Sequence, residues 1–207
     1  FGKIDYLNLL PFHTFMKRYS NARYKYGVPS YINNEFSSKR VDGAFISSVK
    51  AKKYNYINLG IIAKKEVLSV LVIPHSSTKT DTASATSNKL AQILNIQGEV
   101  IIGDRALKYY LQNKPFIDLA SEWQNKYNLP FVFALFCYHK DKKLYKKIEK
   151  QFLKQTIKIP QYILKQASVK TDIKEKDILN YLTYISYKLD HKAKKGLKLF
   201  QRLTSYN

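Results

Sequence analysis

Two neighbouring stretches, Tyr56–Ala63 (YINLGIIA) and Val67–Pro74 (VLSVLVIP), are apolar and β-branched with almost no alternation. A strand wetted on one face alternates polar and apolar residues, whereas a continuously apolar strand is covered on both faces. Any fold of this chain must therefore bury these strands beneath other elements on two sides. The preceding residues offer helices for that purpose. Lys3–Leu7 reads as a strand, Pro11–Tyr19 as a helix and Arg23–Tyr26 as a weak strand. A helix is expected over Ser30–Ser38, just after Pro29, and a strand over Val41–Ile46. Alternation of this kind predicts an α/β fold with a parallel sheet covered by helices.

The pattern changes after Pro74. His75–Thr86 is rich in Ser and Thr and reads as a loop running into a helix start. Leu90, Ile93 and Leu94 give that helix its inner face, Glu99–Ile102 is a short strand, and Asp104 opens another helix. Phe131–Tyr138 is a further buried strand, after which only helices are expected. One carries Ile178, Leu179, Leu182, Ile185 and Leu189; the last carries Leu197, Phe200 and Leu203. The piece 76–129 is too small to stand alone. It is expected as a second lobe inserted into a first lobe built from 1–75 and 130–207, with crossings near Pro74 and Pro130 acting as a hinge. Such lobes hold a ligand between them, beyond the carboxyl ends of the strands.

The chain carries 36 Lys and Arg against 15 Asp and Glu, a net charge of +21, and more than half of the excess falls in 138–207. In Lys142–Lys154 the lysines interleave with Leu144, Ile148 and Phe152, which predicts a helix with a buried stripe and a solvated basic face. No recognition-helix, finger or RNA-binding sheet motif accompanies it. Neither nucleic acid nor a membrane is therefore expected as a partner. The apolar runs are far too short to span a bilayer, and no secretory leader opens the sequence. A single cysteine, Cys137, makes neither an internal disulfide nor a cysteine-built zinc site. Together these predict a cytoplasmic protein. The four histidines are scattered without metal-ligand spacing, so no metal is assigned. Phosphate-loop and dinucleotide glycine motifs are absent.

Several polar residues stand where predicted strands run out. Asn8 follows the first. Ser47 and Ser48 follow the strand Val41–Ile46 and either cap the next helix or touch a ligand. Ser84, Thr86 and Ser87 cluster at a helix start in ASATSNKL, where free backbone N–H groups and the helix dipole favour an anion. Capping alone needs one such residue. In VIIGDRAL, Gly103 permits close backbone approach, and Asp104 serves as a base, as a ligand-orienting group or as a helix cap.

The segments IDYLNLLPF, VDGAFISS, ASATS before a helix, IIGDRAL and DLASEWQNKYNLPFVFALF resemble, in this order, the chorismate dehydratases of the futalosine route to menaquinone. The resemblance covers nearly the whole chain. It implies a two-lobed, type II periplasmic-binding-protein-like α/β fold with a hinge and an interlobe cleft. It implies conversion of chorismate, a small dicarboxylate, to 3-[(1-carboxyvinyl)oxy]benzoate and water. That makes a carbon–oxygen hydro-lyase needing no cofactor or metal, since aromatisation drives the reaction. By position, Asn8 is expected at the substrate, Ser84, Thr86 and Ser87 at a substrate carboxylate, and Gly103 and Asp104 on the cleft-facing loop of the second lobe. Ser47 stands where many relatives have proline. The proton acceptor is either Asp104 or a carboxylate of the substrate, the latter preferred. Two other activities go with this fold. One is the dihydroxynaphthoate synthase of the same pathway, expected to use a cleft histidine. The other is a non-catalytic small-anion binding protein.

Overall fold

The computed structural model describes residues 1–74 and 77–205. The expected lobe boundary at 75–76, and His75 itself, lie outside the described residues. Strand β1 (Gly2–Lys3) leads through a 3-10 turn (Leu7–Leu9) into α1 (Leu10–Tyr19). Then come β2 (Lys25–Tyr26), α2 (Pro29–Ser37), β3 (Gly43–Ser47), α3 (Ser48–Ala51), β4 (Asn55–Ala63) and β5 (Val70–Ile73). The middle of the chain forms α4 (Ala85–Leu94), β6 (Glu99–Ile102), α5 (Gly103–Tyr110), β7 (Ile117–Asp118) and α6 (Leu119–Tyr127). After it follow β8 (Phe131–Tyr138), α7 (Lys142–Lys154), α8 (Gln161–Thr171), α9 (Glu175–Leu182), β9 (Ile185–Lys188) and α10 (His191–Leu203). The helix limits follow local chemistry. Proline in the first turn starts α1 and α2. Asn95 and Asn128, in left-handed conformation, end α4 and α6. No helix among the described residues is long and apolar enough to cross a membrane.

A four-stranded sheet has the order β3-β8-β4-β9, and a three-stranded sheet the order β6-β5-β7. Every ladder in both is antiparallel; among the described strands the short β1–β2 pair is parallel, and an isolated parallel bridge joins Lys79 to Glu99. This corrects the expectation of a parallel sheet. Continuous apolarity reports burial on two faces, and helices covering both faces of an antiparallel sheet produce the same sequence pattern. Val67–Pro74, expected with the first sheet, has its strand β5 paired on both sides by β6 and β7. The chain therefore passes between the sheets at 64–69, ahead of Pro74. Residues 183–189 contain a strand where a helix was expected. The spacing of Ile178, Leu182, Ile185 and Leu189 suits a helix, but the free edge of β4 takes up Ile185–Lys188 as β9. On α7 the basic face is as expected, while the buried stripe is Tyr145, Ile148 and Phe152, with Leu144 46% exposed. The Tyr145 ring packs on Phe136 and Tyr138, with centroids 5.6 and 5.0 Å away.

Two buried side chains fix how the sheets meet. Trp123 on α6 packs against Phe131 of β8 and Phe200 of α10, at ring-centroid distances of 5.2 and 6.0 Å. Asp118 accepts four backbone N–H groups, from Val67 and Leu68 in the crossing and from Ala120 and Ser121 at the start of α6. Leu68 sits at φ 59°, a left-handed conformation costly for leucine. Its N–H donates to the buried carboxylate of Asp118 at 2.8 Å.

Candidate functional site

A cavity of about 70 Å³ lies where the two sheets approach each other. Its polar lining residues are Tyr6, Asn8, Ser47, Ser69, Ser84 and Ser87, with the backbone at Gly103 beside them. Five of the eight residues singled out in the sequence thus meet on one cavity. No charged side chain lines it, so the charge of the chain lies elsewhere. What the cavity offers an anion is neutral hydrogen-bond donors and the starts of α4 and α5.

Each lining group has a local cause. Asn8 lies within the 3-10 turn, not at a strand end, because β1 stops at Lys3. The Asn8 side-chain oxygen Oδ1 is inaccessible and finds no partner among the described residues. Ser47 donates its N–H to Asn33 Oδ1 at 3.1 Å, and its hydroxyl oxygen accepts from Asn33 Nδ2 at 2.8 Å. The Ser47 hydroxyl hydrogen remains for a ligand. Ser84 caps α4 by accepting from the Ser87 N–H at 3.1 Å, and its hydroxyl donates to Ser87 Oγ at 2.8 Å. Ser84 is thus the cap, and Ser87 keeps a hydroxyl hydrogen to give. Gly103 sits at φ 65°, and a Cβ there would come within 2.9 Å of the Tyr6 ring. Only glycine suits both demands.

Three predicted residues stand beside this cavity. Thr86 and Ser48 face each other. Thr86 Oγ1 accepts the Val49 N–H at 3.3 Å and lies 3.5 Å from Ser48 Oγ, joining the start of α4 to that of α3. Asp104 lines a neighbouring cavity of about 270 Å³, across the Tyr6 ring, together with His13, Lys17 and Lys170. The Asp104 carboxylate accepts the Leu7 N–H at 3.0 Å. Burial lifts its pKa to about 6, against the opposing pull of the Leu7 N–H and Lys170. His13 is kept neutral, its pKa lowered to about 4 by burial, with Nε2 2.9 Å from the Ile4 carbonyl.

The Asp104 shift has a measurable consequence. With the folded pKa above the ordinary 3.8, the folded state binds the proton more tightly than the unfolded chain. The contribution of this group to stability is therefore full below about pH 4 and lost as pH rises through about 6. Asp104→Asn keeps an acceptor for Leu7 and removes the titration. Its stability relative to the parent, from urea unfolding, should rise between pH 4 and pH 7. A constant difference over that range would refute the shift.

Sequence reasoning missed Asn33, Ser69, Tyr181 and Tyr187. The Tyr181 hydroxyl donates to Ser69 Oγ at 2.8 Å, and that of Tyr187 to the Asn8 carbonyl at 2.7 Å. Ser69 had a signal, as the one polar residue inside VLSVLVI. The other three had none, since a buried Asn or Tyr far away in sequence announces no partner.

Comparison with known proteins places these features in a family. The sequence matches the menaquinone biosynthesis family over residues 1–97 and 95–206. It is 48% identical over 211 aligned positions to the chorismate dehydratase of Campylobacter jejuni subsp. jejuni serotype O:23/36 (strain 81-176), covering 97% of this chain and 95% of that one. Among solved structures, a protein from Archaeoglobus fulgidus superposes with a TM-score of 0.72 at 10% identity, covering 99% of this chain and 96% of that one. The periplasmic aliphatic sulphonate binding protein of Escherichia coli gives 0.60 at 11% identity, covering 100% and 86%. A Candida albicans protein described as having the generic periplasmic binding protein fold gives 0.53 at 11% identity, covering 96% and 88%. These structural likenesses carry the fold alone, and the periplasmic-binding-protein-like α/β class expected from the sequence is the one found.

Proposed function

This chain belongs to the menaquinone biosynthesis family, and from that membership we propose that it converts chorismate to 3-[(1-carboxyvinyl)oxy]benzoate and water. The observation that carries this reading is the 48% identity to a chorismate dehydratase along essentially the full length of both chains. The reaction removes a proton from the ring carbon bearing the enolpyruvyl ether and hydroxide from the carbon beside it. Proton and hydroxide leave as water, and the ring becomes aromatic. No electrons are exchanged with a cofactor, so the protein's task is to bind, orient and assist departure.

In this reading the substrate carboxylates take the Ser87 hydroxyl, the Ser47 hydroxyl and the N–H groups at the start of α4. The Asn8 amide donates to the departing hydroxyl. Asp104 is engaged by Leu7 outside the cavity, which favours the enolpyruvyl carboxylate of the substrate as proton acceptor. A cavity of about 70 Å³ is small beside the roughly 300–1,000 Å³ of ordinary ligand sites. We therefore take residues 70–129 as a second lobe that parts from 1–69 and 130–205 to admit substrate. A single buried cysteine suits a reducing cytoplasm. His13, His139 and His191 do not line the cavity, which disfavours the dihydroxynaphthoate synthase reading and its cleft histidine.

Purified protein incubated with chorismate, with products followed by chromatography and mass, tests the activity. The enolpyruvyl benzoate should accumulate, and should still do so after chelation of metals. Chorismate bound but unchanged would make the chain a binding protein and end the proposal. Ser87→Ala tests the carboxylate site. Losing a hydrogen bond to a charged group costs roughly 1.5 kcal/mol or more, so substrate affinity should weaken about tenfold. Unaltered affinity would leave Ser87 a partner of the Ser84 cap and nothing further.

A further inference from the structure

We infer that Tyr187 is a positioning residue for Asn8, an inference that rests on the role given to Asn8 above. The 3-10 turn Leu7–Leu9 is held from two sides at adjacent residues. From α5, the Asp104 carboxylate accepts the Leu7 N–H at 3.0 Å. From β9, the Tyr187 hydroxyl donates to the Asn8 carbonyl at 2.7 Å. The turn closes on itself through the Leu9 N–H and the Tyr6 carbonyl at 3.0 Å. The approach to it is fixed where His13 Nε2 meets the Ile4 carbonyl at 2.9 Å. Of these ties that of Tyr187 is the one that ends on Asn8, the polar residue of the turn that lines the cavity.

The tie has a rigid base. Residues Ile185, Ser186 and Lys188 of β9 pair with Ala63, Ile62 and Leu59 of β4. The Tyr187 ring stands edge-on to Phe152, with centroids 5.3 Å apart. Burial raises the pKa of its hydroxyl well above the ordinary value, so it remains a proton donor throughout the working range. With both neighbouring backbone groups committed, the Asn8 side chain has its own torsions alone to vary. Misplacing a reacting group by about 1 Å can cost on the order of a hundredfold in rate. Loss of one of two tethers should therefore show in turnover more than in binding.

Tyr187→Phe removes the hydroxyl and keeps the ring and its packing. The expected result is a kcat lower by about tenfold with KM within about twofold and an unchanged circular dichroism spectrum. The decisive measurement is a double-mutant cycle with Asn8→Ala. A residue that acts through Asn8 loses its effect once Asn8 is gone, so Tyr187→Phe should cost less than about twofold in that background. A tenfold loss that persists there would make Tyr187 a packing residue and overturn the inference. An unaltered kcat in Tyr187→Phe alone, with Asn8→Ala impaired, would also overturn it while sparing the site reading. Full activity in Asn8→Ala would instead strike the site reading, and the inference with it.

Discussion

Asn8→Asp is expected to give a folded protein whose turnover of chorismate is at least about a hundredfold lower, a loss of roughly 2.7 kcal/mol in transition-state stabilisation. Aspartate has nearly the size of asparagine and is equally at home in turns, so the 3-10 turn and its ties should survive. The chemistry should not. The cavity is lined by Ser hydroxyls, backbone and apolar groups, with no cation to balance a new carboxylate. The new charge replaces an N–H donor and faces a substrate with two negative charges of its own, in a poorly hydrated space where repulsion is strong. Burial without a counter-ion raises a carboxyl pKa. The loss should therefore narrow at acid pH, where the carboxyl carries a hydrogen again. Steady-state kinetics across pH, with circular dichroism to establish folding, make the test. Near-normal turnover in the folded variant would remove Asn8 from the site and leave it a turn residue.

Asn8 was legible in the sequence because a polar residue between two apolar runs, just ahead of a proline, has few reasons to be there. Ser47 is marked by following a predicted strand, Ser84 and Ser87 by clustering at a helix start, and Gly103 by permitting close backbone approach. All five line the cavity, since turns at element ends are where a sheet and its helices present polar groups. Thr86 and Ser48 carried the same signal and meet each other instead. Position along a helix start does not tell which of two neighbouring hydroxyls faces a ligand. Strand direction was illegible for a different reason. Apolar continuity measures coverage of both faces, and parallel and antiparallel strands under helices are covered alike. The partners of β5 and the existence of β9 were likewise set by which sheet edge was free, a tertiary property that overrides a helical spacing such as that of Ile178, Leu182, Ile185 and Leu189. Tyr187 belongs with these. Its hydroxyl matters because β9 lies beside the turn at Asn8, 179 residues away along the chain.

Asp118→Ala is expected to destabilise the fold strongly, on the order of 4 kcal/mol. Loss of the cap on α6 costs about 1 kcal/mol. The Val67 and Leu68 N–H groups, bonded at 3.0 and 2.8 Å, would be left without acceptors in the interior at roughly 1–3 kcal/mol each. Leu68 would also lose what keeps it at φ 59°, and the crossing 64–69 would be free to relax. Val67, Ser69 and Val70 line the cavity, so relaxation there disturbs its wall as well as the fold. Asp118→Asn separates the two pairs of bonds. Its remaining oxygen satisfies one pair of N–H groups, while its NH₂ confronts the other pair with hydrogens, so its loss should fall between parent and alanine. The one tryptophan of the chain, Trp123, is fully buried on α6 between the sheets and reports the transition by its fluorescence in urea. An Asp118→Ala midpoint equivalent to less than about 1 kcal/mol of loss at unchanged slope would mean that the crossing finds other acceptors. In that case Leu68 would be held by packing, and the carboxylate would not be what fixes the crossing.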